Sequence, residues 1–436
     1  MMKAPAPDAV TPNEGEICID ASQLRPGVHV RLPVPWVEHQ FMFNSFVIAD
    51  EEQARLIAAM KLPQLFCDPT RCKVPPLLRQ EQQPGADPEA AAEKDRLAAL
   101  AARRMAEKRA RAQVMSELRE RLDKAQQHYL GAAREVSGAI QGFLLHPREA
   151  VERVARVSKD TTTALLADPD SAIVLIAEKA HDDGHAAHSL SVMTLALLLG
   201  KQAKIPEQAL HSLGIGALLH DIGKLAIKAS ILRNNERNRH EEQIYQSHCR
   251  AGYDAAMRAG NLTPPLLEAI LHHHERYDGS GFPDRLNGNA IPLSARLVAI
   301  ANRFDNLVSP IDPRRALSPS EALSTMWTRE QKAFDAALLQ LFVRAMGVYP
   351  PGSIVQLSDG RIGAIVGSAP AGKPLSPKVM IYAPEVPRRQ SIIIDLASDD
   401  ELKVDRPLRL QERPPEELDY LLPRRKINWS YMAQRP

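Results

Sequence analysis

The chain has 436 residues, enough for two or three domains and a large buried core. Its 55 Lys and Arg against 53 Asp and Glu leave a formal charge of +2, which excludes the basic footprint of a protein that binds a nucleic-acid polymer or a membrane surface. No apolar run reaches the roughly 18 residues of a membrane span, and the N-terminus lacks an apolar signal core, so a soluble, cytoplasmic protein is expected.

In chain order, residues 1–14 are polar and Pro-containing and are read as disordered. Residues 15–78 read as a small α+β domain, with a Pro26-Gly27 turn among β-prone pieces, a helix opening near Asp50 and a strand from about Gln64 to Cys67. Its aromatic residues Trp36, Phe41, Phe43 and Phe46 are assigned to core packing ahead of a sensing pocket. Residues 79–131 are a polar linker followed by a long helix rich in Ala, Glu, Lys and Arg. Its cluster of Arg103, Arg104, Lys108, Arg109 and Arg111 is read as a solvated face rather than a dock for an acidic partner. The apolar spacing there is not heptad, yet a polar helix of this length seldom stands alone, so a homodimer is expected.

Residues 132–346 read as helix after helix, with starts at Pro206, near Ser230, and at Pro264 and Pro265 behind a Thr263 cap. Over residues 347–402 the period changes to that of strands. A hairpin is expected around Asp359-Gly360, with further strands at Val379–Tyr382 and Ile392–Leu396. Residues 403–436 read as a Pro- and charge-rich surface tail. The fold class is therefore mainly α: a helical bundle preceded by a small α+β domain and a long helix, and followed by a small β appendage. The four cysteines, Cys18, Cys67, Cys72 and Cys249, form no framework and are read as reduced thiols; Cys67 and Cys72 are close enough in sequence to test for oxidation.

The chemistry gathers around LLHDIGK, Leu218 to Lys224, where His220 and Asp221 end an apolar helical run. Imidazole nitrogen and carboxylate oxygen together suit borderline divalent metals such as iron, manganese or zinc. Alone the pair is a weak signal. However, His188 opens the run HSLSVMTLALLLG, His248 stands in QSHCRAG, and His273 and His274 stand in LLEAILHHHERYDGSGFP. Helical bundles build metal sites from inward side chains on different helices, and this scatter is what such a site needs. Adjacent residues on a helix point about 100° apart, so His273 and His274 are expected to serve two neighbouring ions, with Asp221 bridging them. In DGSGFP, Gly279 and Gly281 are read as a turn ending the histidine helix.

These segments resemble the HD-GYP family, metal-dependent phosphodiesterases that open cyclic di-GMP in bacterial second-messenger signalling. The matching residues are HSLSV at His188, LLHDIGKLAI at His220 and Asp221, His248 followed by Gly252, HHERYDGSGFP from His273 to Pro283, and IPLSARLVAIANRFDNL from Ile291, in family order across about 130 residues. The region 15–78 is similar to the small domain that often precedes an HD-GYP domain. The resemblance implies an HD-type bundle over 132–346 holding two divalent ions, iron or manganese first. The implied ligands are His188, His220, Asp221, His248, His273 and His274, with Asn302 as a further candidate. Asp221 and Lys224 take catalytic roles in hydrolysis by a metal-activated hydroxide. Lys224, Asp278, Gly279, Gly281, Phe282, Pro283 and Arg314 contact the substrate, and a diguanylate cyclase or another signalling protein is an expected partner.

The sequence departs from the family at four places. Asn302 stands where an aspartate ligand is usual, with Asp305 matching a later aspartate. Gly184 replaces an acidic residue one turn before His188, with Asp182 and Asp183 off register. Phe282 replaces the tyrosine of the name motif, and Ile311 replaces an arginine, leaving Arg314 or Arg315 for the last basic position. The alternative reading is a degenerate member that binds metal or nucleotide and acts as a signalling scaffold. The remaining histidines, His181, His185, His211, His240 and His272, are assigned to surface or packing.

Overall fold

The computed structural model describes residues 11–35, 38–41, 43–78, 88–167, 184–260, 262–370, 372–384, 386, 391–399 and 401–422. Residues 1–10 of the stretch 1–14 read as disordered and residues 423–436 of the stretch 403–436 read as tail lie outside these, as do Trp36, His181, Asp182 and Asp183. The chain divides into two units, Met1–Arg119 and Glu120–Pro436.

In the first unit, strands β1 (Ile17–Ile19), β2 (His29–Arg31), β3 (Ser45–Val47) and β4 (Leu65–Cys67) form an antiparallel sheet in the order β1-β4-β2-β3. Helix α1 (Glu51–Ala59) opens where the Asp50 side chain accepts the Gln53 N–H at 2.7 Å, relieving one of the unpaired amides of a first turn. Val28, Val30, Leu56, Ile57 and Leu65 form its core, against which Leu97 and Leu100 of the long helix α2 (Pro88–Gly142) pack. Phe41 is buried and Phe46 packs against it, ring centroids 5.1 Å apart. The basic cluster is not simply solvated. Lys108 donates to the carbonyls of His39 (2.7 Å) and Phe41 (2.9 Å), and burial pulls its ammonium down to about 8, while Arg104 pairs with Glu52.

The second unit contains α3 (Pro147–Ala167), α4 (Gly184–Gln202), α5 (Glu207–Leu219), α6 (Ala229–Arg233), α7 (Arg239–Gln246), α8 (His248–Ala259), α9 (Pro264–His272), α10 (Leu293–Val308), α11 (Pro319–Thr328) and α12 (Ala336–Met346). The apolar repeat Leu190, Met193, Leu197 on α4 is fully buried against α5 and α10, and α9 packs on α5 and α10. Thr263 occupies the cap of α9 but makes no side-chain capping bond. Pro264 and Pro265 remove the first two donors, and the Leu266 N–H goes to the Thr263 carbonyl.

A five-stranded antiparallel sheet follows, in the order β8-β7-β6-β5-β9, from β5 (Ile354–Leu357), β6 (Ile362–Gly367), β7 (Lys378–Ile381), β8 (Ile393–Asp395) and β9 (Val404–Leu408). The β5–β6 connection turns at Asp359-Gly360, with Gly360 at φ +85°. Strand β9 and helix α13 (Pro415–Leu421) fall in the stretch read as tail. β9 is an edge strand with three exposed residues, Asp405, Arg406 and Pro407, so its apolar signal is weak. Leu410, Leu418 and Leu421 nonetheless close a small core on this sheet.

Candidate metal centre

Four histidine-bearing segments converge, and in three of them a helix begins or ends at the candidate ligand; His188 alone lies inside its helix. Helix α5 stops at Leu219, His220 caps it, and Asp221 turns at φ −99°, ψ 7° into the short 3-10 turn Ile222–Ala226. Gly223 permits this turn to lie against α8. A Cβ there would sit 2.0 Å from the His248 carbonyl oxygen and 2.6 Å from the Gly252 nitrogen. His188 comes from the first turn of α4, His248 opens α8, and His273 and His274 follow the end of α9.

Nδ1 of His220 lies 2.7 Å from the Ala217 carbonyl, that of His248 2.6 Å from the Tyr245 carbonyl, and that of His273 2.8 Å from the Ile270 carbonyl. A carbonyl only accepts, so each Nδ1 carries the proton and each Nε2 presents a lone pair. His188 does the same with a carboxylate, its Nδ1 lying 2.7 Å from Asp305 Oδ2. The Nε2 atoms all turn on Asp221. Its Oδ2 lies 3.3 Å from His220 Nε2 and 3.5 Å from His188 Nε2, and its Oδ1 lies 3.5 Å from both His248 and His273 Nε2.

This arrangement leaves a deficit of positive charge. His248 and His273 Nε2 lie 3.3 Å apart with no proton between them, and His220 Nε2, Asp221 Oδ1 and His274 Nε2 are buried without a hydrogen-bond partner. Lone pairs in such contact repel unless a cation sits among them. Donor separations of this size match a coordination edge, since metal–nitrogen bonds of about 2.0–2.1 Å give edges of roughly 3.0–3.4 Å. The ligand atoms form two sets sharing Asp221: His188, His220 and Asp221, and Asp221, His248, His273 and His274, each within 4.8 Å. The residues therefore fit a metal centre. His273 and His274, which could serve two neighbouring ions, both lie beside Asp221 and His248: helix α9 ends at His272, His273 caps it, and the two rings sit 4.3 Å apart.

Of the other sequence candidates, Lys224 Nζ lies 2.5 Å from Asp221 Oδ2 and 5.5 Å from the Tyr245 ring centroid. Phe282 stacks on His274 with ring centroids 4.5 Å apart. Gly279 takes φ +77°, whereas Gly281 is needed for close approach: a Cβ would meet the Arg276 nitrogen at 2.3 Å. Asp278 accepts from Ser280 within its own turn, and Arg314 pairs with Asp312 at 2.9 Å in an exposed turn. Asn302 is buried on α10, and its carbonyl oxygen accepts from the Asn306 amide at 2.6 Å.

Three residues outside the sequence candidates belong to the centre. Buried Glu275 accepts the backbone N–H groups of Asp284 (2.7 Å) and Leu286 (3.1 Å), which pins the turn carrying Phe282. Tyr245 supplies the carbonyl for His248 and faces Lys224 and Arg237, the latter guanidinium 3.9 Å from its ring centroid. His185, assigned to surface or packing, lines one pocket with Asp221 and Lys224. Its spacing of three from His188 put it on that helix face and was a usable signal.

Burial pulls the His220 imidazole down to about 4 and that of His248 to about 3, and pushes His274 well below its ordinary value. Burial also opposes charge on His188, but the carboxylates of Asp221 and Asp305 outweigh it and hold that imidazole above its usual value. At neutral pH His220, His248 and His274 are therefore neutral donors. For the depressed histidines the unfolded chain binds more protons below pH 6.5, so their contribution is present above that pH and is lost as pH falls towards 4. His188 acts in the opposite sense but is outnumbered. The metal-free protein is expected to lose about 1–2 kcal/mol for each of His220 and His248 between pH 7 and pH 5. Thermal melts in chelator over that range check this; a melting temperature that holds or rises on acidification contradicts it.

Residues 160–338 match the HD domain family, and residues 16–154 match a domain of unknown function, DUF3391. The chain thus carries an HD-type domain over residues 160–338. A cyclic di-GMP phosphodiesterase of Pseudomonas aeruginosa is 29% identical over 226 residues, 51% of this chain and 54% of that protein. A cyclic di-GMP phosphodiesterase response regulator of Xanthomonas campestris is 30% identical over 240 residues, 55% of this chain and 58% of that protein. A 3'3'-cGAMP-specific phosphodiesterase of Vibrio cholerae is 38% identical over 127 residues, 29% of this chain and 24% of that protein. The chain thus spans a little over half the length of the first two relatives. No helix among the described residues is long and apolar enough to cross a membrane.

Proposed function

We propose that this HD domain is a metal-dependent phosphodiesterase that hydrolyses a cyclic dinucleotide, cyclic di-GMP first. The observation that carries the reading is Asp221, whose two oxygens face two different sets of unprotonated histidine nitrogens. A carboxylate so placed would be shared by the two donor sets if each held a cation, and the nitrogen-rich donors suit iron or manganese. Bound ions would polarise the phosphoryl group and lower the pKa of a water that serves as nucleophile.

The chain's own groups do the rest. Burial opposes charge on Asp221, but the Lys224 ammonium 2.5 Å from its Oδ2 outweighs that burial and holds the carboxyl well below its ordinary value. Lys224 neutralises that charge in this structure; with cations held by the histidines and Asp221, its ammonium would be available to donate to phosphate oxygens that gain charge in the transition state. Phe282 keeps the His274 ring fixed by stacking, and Glu275 holds the loop that delivers Phe282.

The test is turnover of cyclic di-GMP and of 3'3'-cGAMP by the purified chain, with metal content measured on the same anaerobically prepared sample. Turnover with about two ions per chain, lost in the His220→Ala/Asp221→Ala double variant, supports the reading. Bound metal without turnover of either nucleotide overturns it in favour of a binding scaffold. Asn302 is what favours that second reading, because an amide brings no charge to a face where the family carries a carboxylate. Under the enzyme reading, Asn302→Asp is expected to change turnover by less than about tenfold, as measured by initial rates at saturating metal. A larger gain marks the native site as degenerate.

A further inference from the structure

The first unit contains a second reactive arrangement, independent of the metal centre. Cys67 is the last residue of β4, and Cys72 follows the 3-10 turn Pro69–Arg71; their Sγ atoms lie 3.4 Å apart. Cys67 is fully buried, whereas Cys72 is half-exposed. The backbone N–H of His29 on β2 donates to Cys72 Sγ at 3.1 Å, and the same sulfur lies 3.4 Å from the Asp68 carbonyl. Both sulfurs are free thiols, so a gap of 3.4 Å must close to the roughly 2.05 Å of an S–S bond. The two residues are joined by a short turn rather than held on two packed helices, so Cys72 can make that movement with its turn.

We propose that Cys67 and Cys72 are a reversible oxidation site, closing to a disulfide when the protein meets a hydroperoxide. Cys72 gives its thiol proton to solvent, the thiolate attacks a peroxide oxygen, the O–O bond breaks, and Cys72 becomes a sulfenic acid while the other oxygen leaves as hydroxide or alkoxide and takes a proton back from solvent to become water or alcohol. The Cys67 sulfur then attacks the Cys72 sulfur, the S–OH bond breaks, and the Cys67 proton leaves with the hydroxide as water. Two thiols supply two electrons to one peroxide, and a small dithiol reverses the reaction. The order of attack follows from the surroundings. Burial pushes the Cys67 thiol up to about 12, so it stays protonated and waits as the resolving partner, whereas Cys72 meets solvent and an N–H donor. Cys18 is exposed on β1 and serves as an internal control.

The full chain is treated with hydrogen peroxide, blocked with an alkylating reagent, digested with trypsin without reduction and read by mass spectrometry. Cleavage after Lys61, Arg71 and Lys73 separates Leu62–Arg71 from Cys72–Lys73. The expected result is these two peptides joined, about 2 Da lighter than the sum of their thiol forms, in most of the chains and released by dithiothreitol. Cys72→Ser should leave Cys67 alkylatable after denaturation. Cys67→Ser and Cys67→Ala, checked for folding by circular dichroism, should let Cys72 advance to sulfenic and sulfinic acid. The proposal is overturned if the wild-type chain gives unlinked Cys72 acids, if the link runs to Cys18 or to a second chain, or if both thiols stay alkylatable.

Discussion

Asp221→Asn should leave a folded protein that has lost its metal. The substitution keeps the shape of the side chain and removes the negative charge shared by the two histidine sets. An asparagine amide can donate N–H to the Nε2 lone pairs of one set, which relieves the repulsion that a cation otherwise relieves. The metal-free variant is therefore expected to melt within a few degrees of the native chain, the loss of the Lys224 ion pair being offset in part by these new bonds. Removing one member of a buried charge pair costs about 3–5 kcal/mol, and applied to the bound cations this is a fall of roughly 10²–10³ or more in affinity. Metal analysis after dialysis should find the variant nearly empty, and turnover should fall at least about a thousandfold. Native metal content in Asp221→Asn would remove the bridging role from Asp221.

The candidate ligands were legible as a group in the sequence because histidine and aspartate beside apolar helical runs have little to do in a core. His220, Asp221, His248 and His273 are all buried, and the structure brings them together from separate elements. What escaped depends on backbone geometry and on distant pairs. The approach of the His273 and His274 rings to 4.3 Å follows the end of α9 just before them, and boundaries are the weakest part of a periodicity argument. The role of Glu275 depends on two N–H groups in a loop folded back on it. Lys108 finds backbone carbonyls 67 and 69 residues away, which no local charge pattern reports. β9 was hidden because an edge strand exposes most of its side chains, so its pairing with β5 carries the assignment that alternation cannot.

Asp305 tests whether the centre depends on residues that support the ligands as well as on the ligands themselves. It is fully buried, three positions beyond Asn302 on α10, and its Oδ2 takes the Nδ1 proton of His188 across 117 residues of sequence. The other three Nδ1 protons go to carbonyls of the ligand's own helix end, so His188 alone among these four relies on a side chain from another element. A carboxylate behind an imidazole fixes the ring and its tautomer and raises its basicity, and losing such a partner costs about 10–100-fold in metal affinity. Asp305→Ala is expected to show that loss in metal titrations, with turnover falling in proportion. Asp305→Asn should cost less than about tenfold, because its amide oxygen still accepts the Nδ1 proton. In the metal-free Ala variant His188 loses one of the two carboxylates that hold its pKa up, so burial wins and its titration, followed by NMR, moves to lower pH. If Asn proves as damaging as Ala, with His188 titrating as in the native chain, Asp305 acts through its own charge on the cation rather than through the His188 ring.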